Sequence, residues 1–174
     1  MSEPPALIAL QETNTQVRLP GYRPFQQPTS EGRFITAILV QRNIACAPTH
    51  FDSVLIPHTF VTLYPNSRQH TPIHVLNIYS TPREHRQRFG YLLALAKREA
   101  AKGPLLVLGD FNAPHPAWGY PTDSVKGRDL WAQIQSHHFT LLTDPAFPSR
   151  LGNSVTRDTC PDLTFITSYP GQVQ

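Results

Sequence analysis

The architecture of the chain follows from Pro104-Leu105-Leu106-Val107-Leu108-Gly109-Asp110-Phe111-Asn112-Ala113. The apolar run from Pro104 to Leu108 lies between Gly103 and the Gly109-Asp110 break, and it reads as a strand buried on both faces. The strand then delivers a carboxylate, a ring and a carboxamide at its carboxyl end, where α/β sheets place ligands and catalytic groups. Asp and Asn also start turns readily, so local chemistry alone would account for them. What decides between the two readings is what else converges on the same place.

At 174 residues the chain is expected to form a single domain, 1–174, with a substantial core. Its 40% hydrophobic and 16% charged residues exclude a disordered chain. Its 18 prolines predict many short elements. A net charge of +3 is compatible with a polyanionic partner without specifying one. Cys46 and Cys160 form no disulfide or metal framework, which points to a reducing, intracellular compartment. Ala6 to Leu10 is too short for a signal or membrane helix, so a soluble protein is expected.

Leu7 to Gln11 reads as a buried strand ending at Glu12, and residues 14–32 as a surface loop. Arg33 to Val40, Ser53 to Ile56, Thr59 to Tyr64 and Ile73 to Tyr79 read as further strands. Thr81-Pro82-Arg83-Glu84 has the form of a capping box and predicts a helix start. Phe89, Leu92, Leu93, Ala96 and Ala100 follow at helical spacing and form its core face. A second helix is expected from Gly127 to His137, with Leu130, Trp131, Ile134 and His138 inward. Residues 139–143 and 162–167 read as the last strands, and Gly171 to Gln174 as an end without a closing element. Helix followed by buried strand marks an α/β architecture.

Glu12, Asp110 and Asp162 all fall at expected strand ends. Carboxylates gathered in one cleft repel one another unless a proton or cation neutralises them. Oxygen donors suit a hard cation such as Mg²⁺. Asn112, two residues after Asp110, can donate to a phosphate oxygen while Asp110 takes a proton from water. Taken singly, each acid is equally a turn or cap residue.

Four segments in order, Ile8-Ala9-Leu10-Gln11-Glu12-Thr13, Asn77-Ile78-Tyr79-Ser80-Thr81-Pro82, Gly109-Asp110-Phe111-Asn112 and Asp162-Leu163-Thr164-Phe165, resemble the endonuclease/exonuclease/phosphatase superfamily. Ala113-Pro114-His115-Pro116-Ala117-Trp118-Gly119 and Gly127-Arg128-Asp129-Leu130 resemble one branch of it, the apurinic-like endonuclease domain of non-LTR (LINE-type) retrotransposons. The resemblance implies an α/β fold: a four-layer sandwich of two mixed β-sheets flanked by helices. It implies Glu12 as a Mg²⁺ ligand, with Mn²⁺ as a substitute, and Tyr79 bonded to the scissile phosphate. Asp110 would orient or deprotonate the attacking water, Asn112 would hold that water and the transition state, and Asp162 would orient a catalytic histidine. His115 and Trp118 would shape the adjoining loop, although a core role explains Trp118 as readily.

The family pattern also has an Asn-bearing first strand and a closing Ser-Asp-His, and neither motif is found here. The expectation is therefore an incomplete domain lacking its first and last strands. Its implied function is Mg²⁺-dependent hydrolysis of DNA phosphodiesters, weakened by the missing groups. DNA is the implied partner, a reverse transcriptase region the implied neighbour in the full-length element, and the nucleus the implied compartment of a functional protein. Two other readings stay open: an inert retroelement remnant that at most binds DNA, and a phosphatase of small phosphoesters.

Overall fold

The computed structural model describes residues 3–101 and 103–167. In chain order the elements are β1 (Leu7–Leu10), β2 (Tyr22–Phe25), β3 (Ala37–Gln41), β4 (Ala45–Thr49), β5 (His58–Tyr64), β6 (Ile73–Tyr79), α1 (Gly90–Ala100), β7 (Leu105–Asp110), a 3₁₀ turn (Pro116–Trp118), α2 (Val125–Ser136), β8 (Phe139–Leu141) and β9 (Asp162–Thr167). They build two sheets, ordered β1-β3-β2 and β4-β5-β6-β7-β9-β8. The first is antiparallel throughout, and the second is mixed because β6 and β7 run parallel. No described helix is long and apolar enough to cross a membrane.

The central strand β7 is covered on both faces, as its unbroken apolar run requires. Leu105 and Val107 belong to a large core with Leu92, Leu93 and Ala96 of α1 and Leu130 and Ile134 of α2. Leu106 and Leu108 point the other way, onto a smaller cluster of Ile38, Val40, Val61 and Val75 between the two sheets. Both helices thus pack on the six-stranded sheet, and the three-stranded sheet closes its other face. Burial of each large side chain contributes about 1.5–3 kcal/mol, so the helix-side core carries most of the apolar stabilisation.

The thin inter-sheet cluster makes one polar clamp important. Asn77, fully buried on β6, donates from Nδ2 to the carbonyls of Leu10 (2.8 Å) and Ala37 (2.9 Å). Its Oδ1 accepts from Gln11 Nε2 at 2.5 Å. The clamp fixes the end of β1, and with it the next residues, Gln11 and Glu12, over β6. Asn77→Leu would leave two carbonyls without these donors. A loss of about 2–3 kcal/mol is expected in urea unfolding, since each unsatisfied buried group costs about 1–3 kcal/mol. A wild-type midpoint for this variant would show that the clamp is dispensable.

Several local expectations need correction. Tyr22–Phe25, inside the expected loop, is a strand, and so is Ala45–Thr49. Each carries a proline (Pro24, Pro48) and lies at a sheet edge, where a missing N–H costs no ladder bond. Ser53 to Ile56 is not a strand but follows a turn closed by Val54 N to Phe51 O. Leu7–Leu10 is half-buried rather than buried.

Thr81 does not cap a helix. The segment after it makes turns rather than a helix, with Glu84 N bonded to Thr81 O, and α1 begins only at Gly90. Phe89 N is instead satisfied by Asp129 Oδ2 of α2 at 3.1 Å. Helix α2 starts at Val125, capped by the Ser124 hydroxyl, and His138 lies beyond its end, exposed and at φ 57°. Gly171 to Gln174 lies outside the described residues.

Candidate active site

Strand register assembles the site. Tyr79 is the last residue of β6 and stands opposite Asp110, the last residue of β7. Asp110 in turn stands opposite Asp162, the first residue of β9. Glu12 arrives from the other sheet, and its Oε1 accepts from the Tyr79 hydroxyl at 2.5 Å. Asn112 Nδ2 donates to Ser80 O at 3.1 Å, across the β6–β7 boundary. The structure therefore brings Glu12, Tyr79, Asp110, Asn112 and Asp162 to one edge of the sheets. Both Glu12 (φ 52°) and Asn112 (φ 43°) occupy the left-handed region, which costs a non-glycine residue and concentrates at functional sites.

The electrostatics follow from this crowding. Burial, then the Asp162 charge, push the Asp110 carboxyl up to about 6, with a smaller contribution from Glu12; hydrogen bonds from Asn112 oppose them. Asp110 Oδ1 is buried with no hydrogen-bond partner. Burial, then the bond to Glu12 and its charge, push the Tyr79 phenol up to about 12, so it stays a neutral donor.

His115 and Trp118 stand beside this edge as parts of a packed loop. His115 caps the 3₁₀ turn, its Nδ1 accepting from Ala117 N at 3.1 Å. Its ring lies 5.0 Å from Trp118 and 5.4 Å from Trp131. Trp118 is fully buried and donates from Nε1 to Ala113 O at 2.8 Å. Both rings thus brace the chain that follows Asn112, and burial pulls the His115 imidazole down, toward its neutral form.

Two further residues of this edge were given no role by the sequence, although Ser80 lies within one of the quoted segments. Ser80, fully buried, donates from N to Asp110 O (2.8 Å) and accepts from Asn112. Lys126, only 2% exposed, donates from Nζ to Ser80 Oγ and Thr81 O, both at 3.0 Å. No spacing rule signals either one. A lysine in a first helical turn ordinarily reads as solvated surface.

The donor set suits a hard cation in its chemistry. It holds oxygen ligands only, and Asp110 has a buried oxygen without a partner. Among the described residues no three His, Cys, Asp or Glu side chains converge into a protein cage. Oxygen donors of this kind suit Mg²⁺, which commonly takes one or two carboxylates and completes its shell with water and substrate phosphate.

The comparisons with known proteins agree with this fold. The endonuclease domain of TRAS1, a telomere-specific non-LTR retrotransposon, matches 94% of this chain over 73% of its own, at 19% identity and a TM-score of 0.76. Truncated TDP2 of Caenorhabditis elegans matches 95% of this chain over 72% of its own, at 14% identity and a TM-score of 0.59. ANGEL2, a 2′,3′-cyclic phosphatase, matches 94% over 69%, at 14% identity and a TM-score of 0.59. At these identities the likeness is one of fold. No curated protein sequence matches the chain at a significant level. The profile of the Endonuclease-reverse transcriptase family matches residues 73–170, more than half of the chain and the part that carries Tyr79, Asp110, Asn112 and Asp162. The chain therefore belongs to the endonuclease-reverse transcriptase family and has the endonuclease/exonuclease/phosphatase fold.

Proposed function

We propose that this domain hydrolyses DNA phosphodiester bonds with the help of Mg²⁺, as the nicking module of a non-LTR retroelement that also encodes a reverse transcriptase. The observation that carries this reading is the Asp110 carboxylate: half-buried, flanked by Asp162 and Glu12, with one oxygen unsatisfied and Asn112 beside it. A carboxyl raised to about 6 is a better proton acceptor near neutral pH than an ordinary aspartate, and it is still ionised there.

Asp110 accepts the proton of a water positioned between it and Asn112. Tyr79, held neutral, donates its hydroxyl to a phosphate oxygen in place of Glu12. Asn112, fixed by its strained backbone and its bond to Ser80 O, presents an amide to the same centre. Glu12 would hold the metal ion, which when bound neutralises the charge that develops on the phosphate. The sequence holds no Ser-Asp-His, the motif that carries the family's phosphate-contacting histidine, so slow turnover by this chain is expected.

The test is nicking of supercoiled plasmid by the 174-residue chain in Mg²⁺. Slow nicking that disappears on chelation and in Asp110→Asn is expected. Nicking that persists unchanged in Asp110→Asn would reject the reading. A second measurement does not depend on turnover. Millimolar Mg²⁺ or Mn²⁺ should raise the melting temperature, because a ligand of the folded state stabilises it by mass action. Glu12→Gln should lose that shift, and an equal shift in both chains would remove Glu12 from the metal site.

A further inference from the structure

Lys126 stands where a lysine is physically disfavoured. It lies in the first turn of α2, just after the Ser124 cap, where the helix carries partial positive charge and cations are destabilising. It is 2% exposed and makes no ion pair among the described residues. Taking an ammonium out of water without a carboxylate partner is costly, and an apolar residue would fill the same volume without that cost. Packing alone therefore does not account for it.

Its contacts point to what does. Nζ donates to Ser80 Oγ and Thr81 O. Ser80 is the hub of the site's backbone: its N–H holds Asp110 O, its carbonyl accepts from Asn112, and its hydroxyl donates to Gln87 Oε1 at 2.6 Å. The same helical turn is locked to the loop after Asn112. Ser124 N donates to Pro114 O at 2.9 Å, and a Cβ at Gly127 would run into that same Pro114 carbonyl. The helical turn that carries Lys126 is thus tied to the segments that follow both strands of the site.

We propose that Lys126 is a positioning residue of the active site: a buried cation that clamps the Ser80–Thr81 backbone, and through it Asp110 and Asn112. It is not a catalytic residue, because its ammonium is buried against Ser80 and Thr81. Its bearing on turnover rests on the nuclease reading, whereas the clamp does not. The charged groups that bear on Lys126 are Asp110, at the end of β7, and Glu84, in the segment before α1. Burial pulls the ammonium down to about 8 and both acids pull it back up, so it is charged at neutral pH and titrates in the mildly alkaline range.

The experiment compares wild type, Lys126→Met and Lys126→Arg. The first readout needs no nuclease activity: it is hydrogen exchange of the Ser80 amide, which the Asp110 carbonyl holds. With the clamp removed, Lys126→Met should exchange that amide about tenfold faster than wild type, while Lys126→Arg should stay near wild type. Unchanged exchange at Ser80 in Lys126→Met overturns the proposal. The second readout is nicking. Lys126→Met should lose about 10²-fold in kcat with KM little changed, the size expected of misplaced groups. Lys126→Arg should recover most of it and lack the wild-type decline above pH ~8, since arginine stays charged there. Equal activity in wild type and Lys126→Met overturns the positioning role.

A wild type without nicking would reject the nuclease reading but leave the Ser80 amide exchange to decide the clamp. Should Lys126→Met fail to fold, wild type and Lys126→Arg still decide. The backbone amides of Ser80 and Thr81 should show an alkaline step in wild type and none in Lys126→Arg. The same step in both chains, or in neither, overturns the proposal.

Discussion

Asp110→Asn is expected to melt higher than wild type at pH 7.5 while losing its nicking activity. The activity loss follows from the proton. Asparagine cannot accept one from the attacking water, and general-base contributions are worth about 10²–10⁴-fold. From a slow wild-type rate, that takes nicking below detection. The stability gain follows from the sign of the shift. The folded-state carboxyl is raised to about 6, above its ordinary value of 3.8, so the folded protein disfavours the charged form. That cost is fully present above about pH 6, diminishes as pH falls toward 4, and is absent below 4.

The difference between 3.8 and about 6 would correspond to about 3 kcal/mol in a dry site. Asp110 is only half-buried, and solvent screening reduces this to about 1 kcal/mol, or about 2–4 °C in a chain of this size. The expected pattern is a higher melting temperature for Asp110→Asn at pH 7.5 and equal values at pH 4. An unchanged or lower value at pH 7.5 would show that the carboxylate is satisfied rather than crowded.

Gly109→Ala should have the larger effect on the fold. Gly109 sits at φ +144°, a conformation side chains rarely adopt, and a Cβ there would be driven into the Ile78 carbonyl oxygen. Strand β7 has no room to retreat, because Gly109 pairs with Ile78 on one side and Leu163 on the other. The obstacle is backbone, not the yielding end of a side chain. A loss of about 4 kcal/mol or more is expected, in the class of the most damaging single substitutions. Against a total stability of about 5–15 kcal/mol, that leaves a chain largely unfolded in mild urea.

Gly32→Ala is the control. Gly32 also has a positive φ (+74°), but nothing lies within 4 Å of the place a Cβ would take. It should cost only the dihedral strain, about 1–2 kcal/mol. Equal midpoints for the two variants would show that the approach of β7 to β6 is not tight.

Everything written in local pattern was legible from the residues alone. The apolar run Leu105 to Leu108 specifies a strand covered on both sides, because no other environment accommodates unbroken aliphatic residues in an extended chain. Ile73–Tyr79 and the Phe89-Leu92-Leu93-Ala96-Ala100 face of α1 were legible for the same reason: side-chain period reports directly on which face is buried. The order of Glu12, Tyr79, Asp110, Asn112 and Asp162 was legible too, each at or beside a strand end.

Tertiary structure decided the rest. Strands β2 and β4 contain prolines that argue against a strand until their place at a sheet edge is known. The start of α1 escapes local pattern because Asp129, 40 residues away, satisfies Phe89 N, leaving Thr81 to serve the site instead. Convergence of the three acids depends on the registers Tyr79–Asp110 and Asp110–Asp162 and on the Asn77 clamp that carries Glu12 across from the other sheet. Lys126 shows the limit most clearly. Its sequence neighbourhood is that of an exposed helical turn, and only the docking of Ser80 and Thr81 over that turn makes it a buried cation. Burial is a property of what packs against a residue, and no local pattern contains it.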